Sequence, residues 1–110
     1  MYKVRKREGK IVPFDIKKIT EAIIKAFEAE DKKYDEGIVD FLALKVTADF
    51  ESKVKDNIIC VEDIQDSVES VLIKAGYAEV AKAYILYRRL HDKMRNMKST
   101  ILDYKDVVNS

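Results

Sequence analysis

Residues able to do covalent chemistry are thinly spread in this chain. His91 is the only histidine and Cys60 the only cysteine, and no serine or cysteine stands in a nucleophile motif that would give His91 a partner. A single cysteine can neither close a disulfide within the chain nor build a zinc site, which fits a reducing cytosol. Cys60 reads as a small buried hydrophobe or a weak helix cap. Glu62 and Asp66 stand at i, i+4, where an acidic pair answers the positive end of a helix dipole more readily than it makes a glycosidase-like dyad or a metal site. P-loop, GxGxxG and HExxH motifs are missing. The expectation is a chain with no catalytic residue and no protein-built metal site.

The cations are placed with more purpose. Lys3, Arg5, Lys6, Arg7 and Lys10 face one anion, Glu8, within Lys3–Lys10, whereas residues 11–110 hold 16 Lys and Arg against 19 Asp and Glu. The whole chain carries a net charge of only +1, which argues against a broadly basic nucleic-acid binder; charge acts here locally. Length and composition bound the rest. A chain of 110 residues, 47% hydrophobic and 37% charged, is one helix-rich globular domain with a modest core. No apolar run reaches the ~20 residues of a membrane span, and MYKVRKREGK has no apolar stretch of the kind a signal peptide needs.

The elements that would position these cations follow from turns and periodicity. YKVRKR (2–7) and KIVPF (10–14) flank Glu8-Gly9, which reads as a hairpin turn. Pro13 puts the second strand at an edge or at its own end. Asp15 caps a first helix whose inner face is Ile16, Ile19, Ile23, Ala26 and Phe27. A second helix is predicted over Ile38–Val54, with Ile38, Phe41/Leu42, Val46 and Phe50 inward. Ile58-Ile59-Cys60 reads as a third strand. A third helix runs Val61–Ala75 with Val61, Ile64, Val68, Val71/Leu72 and Ala75 inward, and Gly76 is its C′ glycine. A fourth spans Tyr77 to about Met97 with Val80, Tyr84, Tyr87, Leu90 and Met94 on one face. The fold class is α-rich α+β, a small antiparallel or mixed sheet capping four helices.

On this frame Val4 and Lys6 share one strand face and Arg5 and Arg7 the other, while Lys18 is third in the helix that Asp15 begins. Twist near the turn brings Lys6 and Arg7 toward one ligand, and a helix N-terminus adds N–H groups and the Lys18 ammonium. Lys6, Arg7 and Lys18 are thus a candidate triphosphate cradle. Edge-strand cations also serve simply to prevent edge-to-edge aggregation, and composition leaves the two readings balanced.

VRKREGKIVPFDIKKITEAIIKAF resembles the opening motif of the ATP-cone, the nucleotide-sensing regulatory domain of ribonucleotide reductases: an apolar residue, any residue, Lys-Arg, Asp/Glu-Gly, a short strand ending in an apolar residue plus Asp/Asn, then Lys-Ile. VEDIQDSVESVLIKAGYAEVAKAYILYRR is similar to the family's closing helix pair, so the resemblance covers Val4 to about Arg89. It implies a three-stranded mixed sheet over a four-helix bundle, with ATP or dATP bound between sheet and helices as an allosteric effector, with or without Mg2+. By that resemblance Lys6 and Arg7 meet phosphates, Lys18 lies on the phosphate side, and Asp15 lies near sugar or base. Val4, Phe14 and Ile19 wall the adenine; Val61, Ile64 and Gln65 line the opposite side, with Leu86 and Arg89 from the last helix.

Two positions depart from the family pattern. Val61 stands where many ATP-cones have a hydroxyl residue and Val12 where some have an acid, which removes polar contacts able to tell ribose from deoxyribose. The tail STILDYKDVVNS resembles the linker into the glycyl-radical domain of anaerobic, class III ribonucleoside triphosphate reductases. The expectation is therefore a regulatory domain over 1–98 and a linker over 99–110 toward a catalytic domain of the same chain. A reductase-gene repressor, which places a cysteine-rich zinc ribbon before its cone, fits less well. Expected partners are adenine nucleotides, that catalytic domain and further cones through self-association. A membrane is not expected, and the near-neutral charge with an acidic third helix disfavours nucleic acid.

Overall fold

The computed structural model describes residues 2–109, with side chains through Met94. Its three strands, β1 (Lys3–Arg5), β2 (Ile11–Pro13) and β3 (Ile58–Cys60), form one mixed sheet in the order β2-β1-β3. β1 pairs antiparallel with β2, Val4 opposite Val12, and parallel with β3, Val4 opposite Ile59. The hairpin closes as its turn residues require: Gly9 takes φ +92°, a left-handed conformation that costs glycine little. The Lys6 N–H donates to the Lys10 carbonyl and the Gly9 N–H to the Lys6 carbonyl, at 2.8 and 2.9 Å. The strands are shorter than 2–7 and 10–14, so Lys6 and Arg7 belong to the turn. Pro13 ends the edge strand, where its missing N–H breaks no ladder.

α1 (Ile16–Ala29) starts at Asp15, whose carboxylate accepts the Lys17 N–H at 3.0 Å. Asp15→Ala should therefore destabilise the domain by about 1 kcal/mol, measured as a lower urea midpoint; an unchanged midpoint would rule the cap out as a stabilising contact. α2 (Glu36–Phe50) is capped the same way by Asp35 and passes into a short 3-10 turn, Glu51–Lys53. Asp56 and Asn57, at φ 54° and 63°, turn the chain into β3; such residues tolerate left-handed backbone. α3 (Val61–Lys74) ends at Gly76, φ +91°, in the C′ position expected.

α4 spans Ala78–Asn109, longer than the predicted 77–97. Its side chains beyond Met94, including those of the expected linker, lie outside the described residues. α1 and α3 each pack on both α2 and α4, with α2 against α3 and α1 against α4 the main seams. Ile23, Phe27, Val39, Leu42, Val46, Phe50, Val68, Leu72 and Val80 are buried between them. The architecture is an α-rich α+β fold, four helices and a three-stranded mixed sheet.

Several inward assignments shift by one position. On α2 the buried face is Val39, Leu42, Ala43, Val46 and Phe50, while Ile38 and Phe41 are exposed. This helix is apolar almost all round (EGIVDFLALKVTADF), so periodicity alone does not choose the face. Ala75 is exposed because it lies past the last turn of α3, and Val61 is half-buried. On α4, Leu90 and Met94 face solvent; a 3.6-residue repeat carries the line of Val80, Tyr84 and Tyr87 on to His91 instead. Cys60 occupies the N-cap position of α3, but its thiol makes no capping hydrogen bond and is not fully buried.

Candidate functional site

A cavity of about 250 Å³ opens between the sheet, the start of α1, the first turns of α3 and the middle of α4. β1 contributes Val4, and the hairpin turn contributes Lys6. The alternation that put these two on one face holds just past the strand end. β2 and its exit supply Val12, Pro13, Phe14 and Asp15, and α1 supplies Lys18 and Ile19. From α3 come Val61, Ile64 and Gln65. Val4, Ile19, Ile64, Val68 and Tyr84 are buried and form an apolar interior, whereas Asp15, Lys18 and His91 are exposed at the mouth and Lys6 is half-buried.

Phe14 is held as part of the wall by edge-on packing against Phe50, with ring centroids 5.7 Å apart, and against Tyr2 at 6.2 Å. Gln65 brings an amide to the opposite wall, and its Oε1 is buried without a hydrogen-bond partner among the described residues. A buried acceptor left unpaired costs about 1–3 kcal/mol, so this atom is a ready partner for a ligand N–H.

Three expected site residues are placed differently. Leu86 and Arg89 do not line the cavity; both lie on the exposed face of α4, Leu86 with 64% of its surface in solvent. Tyr84, Tyr87, Arg88, His91 and Asp92 take their place. Tyr84 and Tyr87 belong to the stripe read from the sequence. Past Tyr87 the spacing leads to His91, flanked by Arg88 and Asp92, polar side chains that a search for apolar residues passes over in favour of Leu90 and Met94. Arg7 does not line the cavity either. Its guanidinium reaches two carboxylates beside the mouth: Nε lies 3.1 Å from Glu62 Oε1 on α3, and Nη1 lies 2.9 Å from Asp92 Oδ2 on α4. At the α1 N-terminus the Asp15 carboxylate takes the Lys17 N–H, as its capping position predicts, so that N–H is not offered to an anion.

Electrostatics grade the cavity from inside to out. Burial pushes the Tyr84 phenol well above its usual range, partly offset by Arg88, so it stays a neutral hydroxyl. Burial disfavours the Arg88 charge, but hydrogen bonds from Nη1 to Glu69 (2.8 Å) and Asp66 (3.0 Å) outweigh it and raise its pKa. Arg88 is thereby a fixed cation in the wall. The Tyr87 and His91 rings pack against each other at a tilt of 50°, with centroids 4.2 Å apart. Among the described residues neither Lys6 nor Lys18 is within an ion pair, and no cluster of three or more His, Cys, Asp or Glu could hold a metal. No described helix is long and apolar enough to cross a membrane.

An apolar interior with ammonium groups at its opening suits a ligand with a flat, weakly polar end and a polyanionic end. Residues 2–93 match the family model described as the ATP cone domain. The chain is 39% identical to the vitamin B12-dependent ribonucleoside-diphosphate reductase of Thermoplasma acidophilum, over 94% of this chain and 13% of that protein. It is 38% identical to the enzyme of the same description from Mycobacterium tuberculosis, over 90% of this chain and 14% of that protein. It is 33% identical to the anaerobic ribonucleoside-triphosphate reductase of Escherichia coli, over 89% of this chain and 13% of that protein. The chain thus spans only a small fraction of the length of these three relatives, and with its sheet, four helices and motif-bearing cavity it belongs to the ATP cone family.

Proposed function

We propose that this domain binds ATP or dATP in the cavity and reports which is bound to a ribonucleotide reductase. The observation that carries the reading is the convergence of both motif-bearing segments, VRKREG through FDIKKI and VEDIQ, on one cavity with Lys6 and Lys18 at an apolar interior. At about 250 Å³ the cavity is slightly under the ~300–1,000 Å³ usual for small-molecule sites, so the adenosine part fills it and the triphosphate lies across the mouth. Gln65 Oε1 supplies the acceptor that the adenine amino group can satisfy, and the Lys6 and Lys18 ammonium groups meet phosphate oxygens. A magnesium ion accompanying the nucleotide would be carried by the phosphates.

The bound nucleotide is a signal and not a substrate. It changes activity only if ATP and dATP prefer different conformations or assemblies of the parent enzyme. Residues 99–110 are read as the linker toward the catalytic domain, and self-association through the cone belongs to the same reading.

The tail STILDYKDVVNS points to an anaerobic triphosphate reductase as parent. The identities favour a second reading, a vitamin B12-dependent reductase, at 38–39% against 33%. Reduction by the full-length parent that depends on added B12 cofactor would select the second, and B12-independent reduction of triphosphates that is lost on exposure to oxygen would select the first.

The domain-level test is a thermal-shift panel of ATP, dATP, GTP and dTTP. Adenine nucleotides at ten times Kd should raise Tm by roughly 5–10 °C, with no shift from GTP or dTTP. Equal shifts from all four would remove the adenine assignment, and no shift from any would remove the nucleotide site.

A further inference from the structure

Arg7 stands apart from the other cations of the hairpin, because it is already engaged. Its two carboxylate partners come from two different helices, Glu62 in the first turn of α3 and Asp92 on α4, at 3.1 and 2.9 Å. The three side chains tie the hairpin turn to both helices beside the cavity mouth, and Asp92 itself lines the cavity. None is deeply buried: 32% of the Arg7 side chain, 50% of Glu62 and 28% of Asp92 are exposed. Each pair is therefore a weak, exchangeable contact. A triphosphate at the mouth would compete with both carboxylates for this guanidinium and would be repelled by them.

We propose that Glu62 and Asp92 form a clasp on Arg7 that sets the affinity of the site for polyphosphates and opens when one binds. The proposal rests on the nucleotide reading above. In the clasped state Arg7 is neutralised and the mouth keeps two carboxylates beside Lys6 and Lys18. In the open state Arg7 turns to the phosphates, and the hairpin is no longer tied to α3 and α4. A ligand shifts such an equilibrium only by its differential affinity for the two states, and a polyphosphate has that difference while a nucleoside has none. Occupancy of the mouth is thereby coupled to a contact on α4, the helix that continues to Asn109. Glu62 and Asp92 act here through Arg7 as positioning residues.

The test is a double-mutant cycle read by calorimetric titration of the 110-residue chain with ATP and with adenosine. Asp92→Asn and Glu62→Gln should each tighten ATP binding, by about three- to five-fold per pair released, and leave adenosine unchanged. In an Arg7→Ala background the same substitutions should lose most of that gain, since the coupling belongs to Arg7. Asp92→Asn tightening ATP equally with and without Arg7 would reduce the effect to general charge repulsion and overturn the clasp. Wild-type affinity in both single variants would overturn it while leaving the nucleotide site intact. Absence of ATP binding by the wild-type chain would overturn both readings.

Discussion

Phe50→Ala is expected to cost about 3–5 kcal/mol of folding stability, a large share of the roughly 5–15 kcal/mol that holds a domain together. The Phe50 ring is fully buried at the end of α2 and contacts Phe14 and Tyr2 edge-on, at 5.7 and 6.1 Å. Removing it takes away the transferred apolar surface and leaves a cavity beside Phe14 and Tyr2, which a close-packed interior fills only in part. It also removes the backing of Phe14, a wall of the candidate site, so residual folded protein should bind nucleotide more weakly than wild type. The informative comparison is Phe41→Ala on the same helix. Phe41 is 56% exposed, with Lys45 over its ring at 5.0 Å, and its loss should stay within about 0.5 kcal/mol. Urea unfolding of the two variants tests the orientation of α2 directly. Equal losses would mean that the helix presents a different face from the one described.

Lys6→Ala should weaken ATP binding by roughly 10- to 150-fold, the equivalent of a lost charge-assisted hydrogen bond of about 1.5–3 kcal/mol. Lys6 is half-buried at the cavity, and among the described residues it has no carboxylate partner to replace, so its charge is available without prior rearrangement. Lys10, on the far side of the same turn and outside the cavity, is the control; Lys10→Ala should change affinity by less than about two-fold beyond general screening. Arg7→Ala should cost less than Lys6→Ala, because breaking its pairs with Glu62 and Asp92 offsets part of any phosphate contact. Calorimetric titration with ATP separates these cases, and wild-type affinity in Lys6→Ala would remove Lys6 from the phosphate site. Isolated cations on an edge hairpin would show no such ranking, which is how the aggregation-blocking role of these residues is told apart from ligand binding.

The hairpin, the Asp15 cap, the third strand and the Gly76 stop were all legible from local chemistry. Each depends on what one or two residues do to their own backbone: Gly9 and Gly76 at positive φ, Asp15 accepting an N–H two residues on, Pro13 lacking a donor. The resemblance also brought together Val4, Lys6, Phe14, Asp15, Lys18 and Ile19 with Val61, Ile64 and Gln65, and all nine line one cavity. They sit at or beside element starts, where local signals fix the phase of the chain.

What the sequence left open lies in the middle of α2 and far along α4. In α2 apolar residues occupy every face, so only packing against α1 and α3 decides that Val39 and Leu42 go in and Ile38 and Phe41 stay out. In α4 the stripe Val80, Tyr84, Tyr87 reaches the core and the cavity. Apolar spacing carries it on to Leu90 and Met94, which are exposed, as is the Leu86 of the resemblance, whereas the cavity face continues through Arg88, His91 and Asp92. Hydrophobic periodicity does not follow a helix face once it turns from the core to border a cavity with polar side chains.

By itself the sequence determined the order of elements, the family and the positively charged opening. Only the tertiary structure decided which of those charges are free. Arg7 is distant in sequence from Glu62 and Asp92, and no local rule brings a β-turn guanidinium against carboxylates of two later helices. The parallel pairing of β1 with β3 and the packing of α4 on α1 and α3 do so, and they divide one run of cations into an engaged arginine and lysines that have no carboxylate partner among the described residues.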